Sequence, residues 1–209
     1  MNKKIKITMA AVLTATVLSV FSCVGMEEPL ESMITEFVLA NTDADGSISV
    51  ITNDRGNRYV VLNDTNKLVP DSVYRIVCNY ILSESGTAKI NAAYYVYADS
   101  AKDMSKCLPG EFCNDPVSIQ SLYVGGGYLN VYFGIKMNDK TSHRISSVRY
   151  DDKSSLTLGI SHDASGDTKG TTKYGFMSIP LKKYNIQKGD TIYFMYNNGS
   201  INKRLYSIY

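Results

Sequence analysis

The chain has 209 residues, of which 22 are basic and 20 acidic, for a formal net charge of +2. Three of the lysines stand at positions 3, 4 and 6, so the part beyond residue 22 is close to neutral at about −1. No long basic run survives there, which argues against nucleic acid as a partner, and the length suits two small domains or one large one.

Residues 1–22 have the layout of a secretory signal. Lys3, Lys4 and Lys6 make a basic start, and Ile7 to Phe21 follows without a charge. The run is short for a spanning helix, which needs roughly 20 apolar residues. It ends in Val20-Phe21-Ser22-Cys23, which resembles the bacterial lipobox, with an aliphatic residue three places before the cysteine and a small one just before it. The resemblance implies cleavage before Cys23, a diacylglycerol thioether on its sulfur and acylation of the new amine. Two or more acyl chains anchor stably where one holds only marginally. The tether expected over 23–33 contains Glu27-Glu28, which resembles the acidic export signal of Bacteroidetes surface lipoproteins and reads equally as a solvated spacer. The expected location is therefore the outer membrane, with exposure at the cell surface left open.

From Met33 onward, short alternating runs separated by turn residues predict an all-β protein. Strands are expected over 35–40, 47–52, 58–62, 72–82 and 89–97. In the last, Ile90, Ala92, Tyr94 and Val96 share one face and Asn91, Ala93, Tyr95 and Tyr97 the other. A short helical turn fits residues 66–71. Five strands in so few residues fit a small closed barrel of the oligonucleotide/oligosaccharide-binding (OB) type, expected over 34–98, because closure removes exposed edges.

Residues 99–116 lose the alternation and read as a linker. Cys78 lies in an apolar strand and reads as a buried thiol. Cys107 and Cys113 flank a turn-rich loop, and in an oxidising compartment they could close a small disulfide ring.

A second series begins at Val117, with segments near 117–124, 128–137, 143–150, 155–162, 172–181, 190–197 and 203–209. Seven strands at this spacing predict an immunoglobulin-like β-sandwich over 117–209. Leu129, Val131, Phe133 and Ile135 should face its core, joined by Leu156, Leu158, Ile160, Met177, Ile179, Leu181, Ile192 and Phe194. Tyr128, Asn130 and Tyr132 should then share the solvent side.

Several stretches carry a family resemblance: Gly127-Tyr128-Leu129-Asn130-Val131, the isolated His143, Leu156 through Asp163, Gly166-Asp167, and Tyr174 through Leu181. The chain resembles the NigD-like lipoproteins of Bacteroidales. The resemblance spans nearly the whole chain after the signal and implies an N-terminal OB-like barrel followed by a C-terminal β-sandwich. The chain departs from the family pattern in having no Trp before the Gly-Tyr turn, where Tyr123 stands nearby. The family's name comes from a bacteriocin-associated gene cluster and implies no molecular activity.

Ser161-His162-Asp163-Ala164-Ser165-Gly166-Asp167 places imidazole, hydroxyls and carboxylates in one short loop. Nucleophilic catalysis needs such groups to converge from different elements, so a polar turn held by Asp163 or Asp167 explains the loop better. A calcium site would need about six to eight oxygen ligands. Asp43-Ala44-Asp45-Gly46 likewise reads as turn chemistry. The two histidines, His143 and His162, have no ligand spacing, although neighbouring strands could bring them together. No metal and no cofactor is expected.

Sixteen tyrosines stand out. Tyrosine offers a flat apolar face with a polar tip, which suits sugars and protein interfaces, and it also simply fits a half-buried pleated surface. Tyr95, Tyr97, Tyr128, Asn130 and Tyr132 are the candidate ligand face. The expected function is a non-enzymatic, membrane-anchored binding or accessory protein for an envelope protein or a glycan. The alternatives are a bacteriocin-associated immunity or accessory role and, more remotely, a hydrolase centred on His162 with Asp163 and Asp167.

Overall fold

The structure, a computed structural model, describes residues 33–63, 67–138, 142–151, 155–199 and 202–208. The expected signal, nearly all of the expected tether and the lipidation residue Cys23 lie outside the described residues, as does Asn66 of the expected helical turn. The described part of that turn is non-helical and passes through Asp71 at φ 48°. Among the described residues, no helix is long and apolar enough to cross a membrane.

The protein is all-β, and its N-terminal strands follow the alternating runs. They are β1 (Met33–Thr42), β2 (Ile48–Asn53), β3 (Arg58–Val60), β4 (Val73–Leu82) and β5 (Ala88–Tyr97). The β1–β2 turn is tied by the Asp43 carboxylate, which accepts N–H bonds from Asp45 (3.0 Å) and Ser47 (2.9 Å). Gly46 completes it at φ 80°, where a Cβ would lie 2.3 Å from the Leu68 carbonyl oxygen. Asp43-Ala44-Asp45-Gly46 is thus a turn, with its first carboxylate spent on the backbone.

These five strands curl back on themselves. Their order is β3-β2-β1-β4-β5, and Val61, just past β3, forms a parallel bridge to Ala88 at the start of β5. Leu62 N–H donates to the Ala88 carbonyl at 3.0 Å. The Asn63 side chain extends the join, accepting from Ile90 N–H and donating to Ile90 O, both at 2.8 Å. The amide acts as a peptide group where the main chain has turned away, so the sheet edge is satisfied without another strand. Val38, Ala40, Ile51, Cys78, Tyr80 and Ala88 are buried inside.

The rest is built from β6 (Lys102–Asp103), one 3-10 turn (Met104–Lys106), β7 (Ser118–Gly125), β8 (Tyr128–Met137), β9 (Arg144–Tyr150), β10 (Leu156–Asp163), β11 (Thr171–Pro180), β12 (Thr191–Asn197) and β13 (Asn202–Ile208). One sheet runs β13-β12-β10-β9-β6, while β11, β8 and β7 continue outward from β5 to complete an eight-stranded sheet. The core between the two includes Leu129, Val131, Phe133, Ile135, Leu158, Ile160, Met177, Ile179, Leu181, Ile192 and Phe194, all buried. At about 1.5–3 kcal/mol for each fully buried large apolar side chain, this cluster is the main stabilising term of the C-terminal sandwich.

Two features depart from the expected layout. The 99–116 segment is not a plain connection, because Lys102–Asp103 adds in parallel to β9 and Ala101 is buried in the sandwich core. The first five strands also do not form a sheet of their own, since β11, β8 and β7 continue it. Val96 and Tyr97 at the end of β5 pair in parallel with Phe176 and Met177 of β11. Phe37, Val77 and Val96 pack there into a small third cluster against Phe176. β5 therefore closes the curled sheet with its first half and joins the sandwich sheet with its second.

Candidate functional site

The double duty of β5 opens a notch. Its pairing with β11 covers two residue pairs only. Before that point β5 leans back to meet β4 and the Val61 bridge, while β11 keeps pairing with β8 as far as Thr171. The two strands diverge, and a cleft of about 300 Å³ lies between them, with Phe133 and Ile135 on its core side and Ile145 of β9 among its lining. Gly175 makes this floor possible, because a Cβ there would sit 2.7 Å from the Phe133 ring.

Tyrosines line the cleft. Tyr94, Tyr95 and Tyr97 come from β5, and Tyr174 and Phe176 from β11. Tyr95 is 73% exposed and Tyr174 57%, values far above what core packing would leave on such large rings. Tyr95 stands edge-on to Tyr97 at 5.1 Å, and Tyr97 in turn leans on Phe133 at 6.2 Å. Burial raises the Tyr97 phenol above its ordinary value, and the neighbouring Tyr95 adds to the shift. Tyr132 stacks on Phe176 at 5.0 Å and lies 5.3 Å from Tyr174. Of the expected ligand face, Tyr95 and Tyr97 thus line the cleft, while Tyr132 supports its β11 flank from the outer side of the sheet. Tyr94, Lys173, Tyr174 and Phe176 were not singled out by alternation. They join the site because β11 is placed beside β5 by a pairing some 80 residues distant in sequence.

Asn130 is not on a solvent face and is fully buried. Strand alternation put it on the correct side of β8, but that side is covered by the β2–β3 turn, which carries Asp54. Arg75 of β4, with its side chain only 3% exposed, forms a two-pronged ion pair with Asp54 at 2.6 and 2.9 Å. It also donates to Asn130 Oδ1 (2.9 Å) and Ser178 Oγ (3.2 Å). Asn130 donates back to Asp54 at 2.9 Å and accepts the Ser178 hydroxyl at 2.6 Å. The guanidinium lies over Tyr128 at 4.4 Å and Phe37 at 5.3 Å. Tyr128 therefore serves as a lid on Arg75. Gly125 and Gly126 let the loop before Tyr128 close over Asp54, where a Cβ would fall 2.8 and 2.3 Å from its carboxylate oxygens. This network ties the curled N-terminal strands to the sandwich sheet, and no spacing in the sequence announces it.

The Ser161–Asp167 loop distributes its groups instead of converging them. The Ser161 hydroxyl donates to Cys113 O and accepts from Cys113 N–H. Asp163 is bound by Arg144, which holds its carboxyl below the usual carboxylate range. Asp167 accepts the Asn138 backbone and side-chain N–H groups, both at 2.7 Å. The two histidines do meet. His143 Nδ1 lies 2.8 Å from His162 Nε2, with the rings stacked at 5.0 Å. His162 Nδ1 donates to the Pro116 carbonyl at 3.1 Å, and His143 Nε2 lies 3.4 Å from Asp167. Two imidazole nitrogens bound tetrahedrally to one ion at about 2.0–2.1 Å would stand roughly 3.3–3.4 Å apart, whereas the 2.8 Å here is the separation of a direct hydrogen bond between the rings. Among the described residues, no group of three or more His, Cys, Asp or Glu is placed to hold a metal. Burial depresses the His162 pKa, with a further contribution from His143. His162 is 2% exposed and Ser161 4%, so both side chains lie beneath the surface.

The ring expected between Cys107 and Cys113 is not closed in this structure, where both are free thiols. Each is engaged locally, Cys107 Sγ with Asp103 O and Cys113 Sγ with Gly110 O. Cys78 is buried, as its apolar strand implied, and burial pushes its thiol up to about 12.

Comparison with known proteins adds context to this geometry. Residues 101–209 match the family model of the NigD-like C-terminal beta sandwich domain. A NigD-like immunity protein from Bacteroides caccae has a similar structure, with TM-score 0.70, 26% identity and coverage of 84% of this chain and 92% of that one. A protein described as toxin-related, from Parabacteroides distasonis, shares the fold at TM-score 0.69 and 23% identity, covering 85% of this chain and 93% of that one. A Bacteroides vulgatus protein of unknown function shares it at TM-score 0.66 and 17% identity, covering 85% and 91%. No curated protein sequence matches the chain.

Proposed function

From the premise that this chain belongs to the NigD-like family, we propose that it is a non-enzymatic accessory protein, held on the outer membrane by lipid on Cys23, that binds an envelope partner in the tyrosine-lined notch between β5 and β11. One observation carries the reading. Large rings of high exposure flank an open cleft, whereas the titratable groups of the Ser161–Asp167 loop are consumed by structural bonds. Exposed aromatic clusters of this kind mark binding surfaces.

We read the first five strands, 34–98, as an OB-like barrel and 117–209 as an immunoglobulin-like sandwich, joined through 99–116. A bacteriocin-associated immunity role is the second reading, and it is favoured by the description of the Bacteroides caccae relative as an immunity protein. Neither reading calls for a cofactor. The partner is an envelope protein or a glycan, and nucleic acid is not expected.

The test uses the full chain in its native host. Cys23→Ala should abolish palmitate incorporation and release the protein from the membrane fraction. Tyr95→Ala should leave both intact and remove partner capture. Palmitate-free protein that stays membrane-bound would refute the anchor, and unchanged capture by Tyr95→Ala would refute the site.

A further inference from the structure

We infer that a second cleft, at one end of the C-terminal sandwich, binds a sugar unit bearing a carboxylate through Arg149, Lys183 and Asp190. The cleft shares no lining residue with the β5–β11 notch, so the inference stands apart from the role proposed there.

Strand direction makes the cleft. β9 runs antiparallel to β10, and β12 runs parallel to it, so β9 ends where β10 and β12 begin. The β11–β12 connection, residues 181–190, runs into the same end. A cleft of about 580 Å³ lies among these segments, a size that suits a small ligand. The connection is tied down by its own bonds. Tyr184 N–H donates to Leu181 O at 3.0 Å and Ile186 N–H to Tyr184 O at 2.9 Å. Asp190 N–H donates to Gln187 O at 2.9 Å, and Gln187 N–H donates back to the Asp190 carboxylate at 2.6 Å. Tyr184 packs against the sandwich core. A lining of fixed shape loses little freedom on binding.

The polar groups are of two kinds. Lys183 Nζ and Arg149 Cζ stand 5.1 and 5.7 Å from the centroid of the Tyr184 ring, which gathers two cations at one place. Lys183 donates to the Ala101 carbonyl at 3.1 Å and pairs with no carboxylate among the described residues. Asp103 lies 3.6 Å from Arg149 Nη1, beyond hydrogen-bond length, while Lys106 holds that carboxylate at 3.0 Å. Among the described residues, the Arg149 guanidinium therefore donates no hydrogen bond, and it is 46% exposed. Asp190 lines the same cleft. Its Oδ2 accepts from Gln187, and its Oδ1 has no hydrogen bond among the described residues. The Asn185 amide stands beside it in the lining.

That mixture selects the ligand. A guanidinium grips a carboxylate with two parallel bonds, and an ammonium adds a second positive charge. A carboxylate such as that of Asp190 only accepts, so it calls for hydroxyl donors. A bare anion brings no such donors and meets the like charge of Asp190. A neutral sugar leaves two cations without a counter-charge. A carboxylate carried on a ring of hydroxyls meets both sets at once.

The test is an array of uronate oligosaccharides, each beside its carboxyl-reduced counterpart, exposed to the full-length protein, with titration calorimetry on the sugars that bind. At least one uronate should bind, and reducing its carboxyl groups should weaken it at least about tenfold, as loss of a charge-assisted hydrogen bond implies. Arg149→Gln and Lys183→Gln should each cost a similar factor, and Asp190→Asn should weaken binding too. Lys182→Gln removes an equal charge from the next position, outside the lining, and should stay within about twofold. An array without a uronate ligand, or equal binding of the reduced sugars, would overturn the inference. So would unchanged affinity in Arg149→Gln or Lys183→Gln, tighter binding by Asp190→Asn, or a loss in Lys182→Gln as large as in Lys183→Gln.

Discussion

Replacing Asp54 with Asn removes one charge from the Arg75 network and almost no volume. Arg75 would remain at 3% side-chain exposure, keeping hydrogen bonds to Asn130 and Ser178 but losing its counter-charge. Breaking a buried ion pair by removing one partner costs about 3–5 kcal/mol, because the remaining charge stays desolvated. Asn keeps the shape and one acceptor, so the lower end of that range applies, about 3 kcal/mol. For a chain of this size each kcal/mol moves Tm by about 2–4 °C, which places the expected drop near 6–12 °C. Thermal melting followed by circular dichroism reads it directly. The double variant Asp54→Leu with Arg75→Met removes both charges, and it should recover at least half of the loss. A drop below about 2 °C for Asp54→Asn, or a double variant less stable than the single one, would show that the pair is not what joins the two sets of strands.

The remaining predictions concern titration and thiol chemistry. Because burial holds the folded-state pKa of His162 below its unfolded value of 6.5, the unfolded chain takes up the proton first. The associated stability is complete above pH 6.5 and is lost as the pH falls towards the folded-state value. Tm measured from pH 7.5 down to 5 should decline, and His162→Gln should flatten that slope at the cost of a lower plateau. An equal slope in the variant would assign the decline to another group. In the Cys23→Ser protein, a thiol reagent at pH 8 should label Cys107 and Cys113 in the native state and Cys78 only after unfolding, since the Cys78 thiol is buried and shifted to about 12. A mass two units lower after mild oxidation, with both loop thiols blocked to reagent, would show that the ring does close.

Much of the fold was legible because strand alternation is a local signal. Leu129, Val131, Phe133 and Ile135 announce a buried face by spacing alone, and that face is buried. Alternation does not say what covers the opposite face. Asn130 was expected in solvent for that reason, whereas the turn around Asp54 lies over it. Nothing in the strand expected over 72–82 singles out Arg75, and only the fold brings its partners together from the β2–β3 turn, β8 and β11. Two of the cleft tyrosines, Tyr95 and Tyr97, could be proposed because tyrosines on one face of β5 invite the idea. Tyr174 could not be placed with them before the β5–β11 pairing was known. The histidine contact was conceivable from sequence, but its form, a direct hydrogen bond between two stacked rings, came only with the fold.

Sharing one strand between two bodies also limits how this architecture can be rearranged. A cut anywhere along β5 would leave one fragment with a missing stave and the other with a truncated sheet. Neither half should therefore work as a portable cassette. Grafting the sandwich onto another carrier would require taking the last residues of β5 along, together with the Phe37–Val77–Val96 patch that seats them.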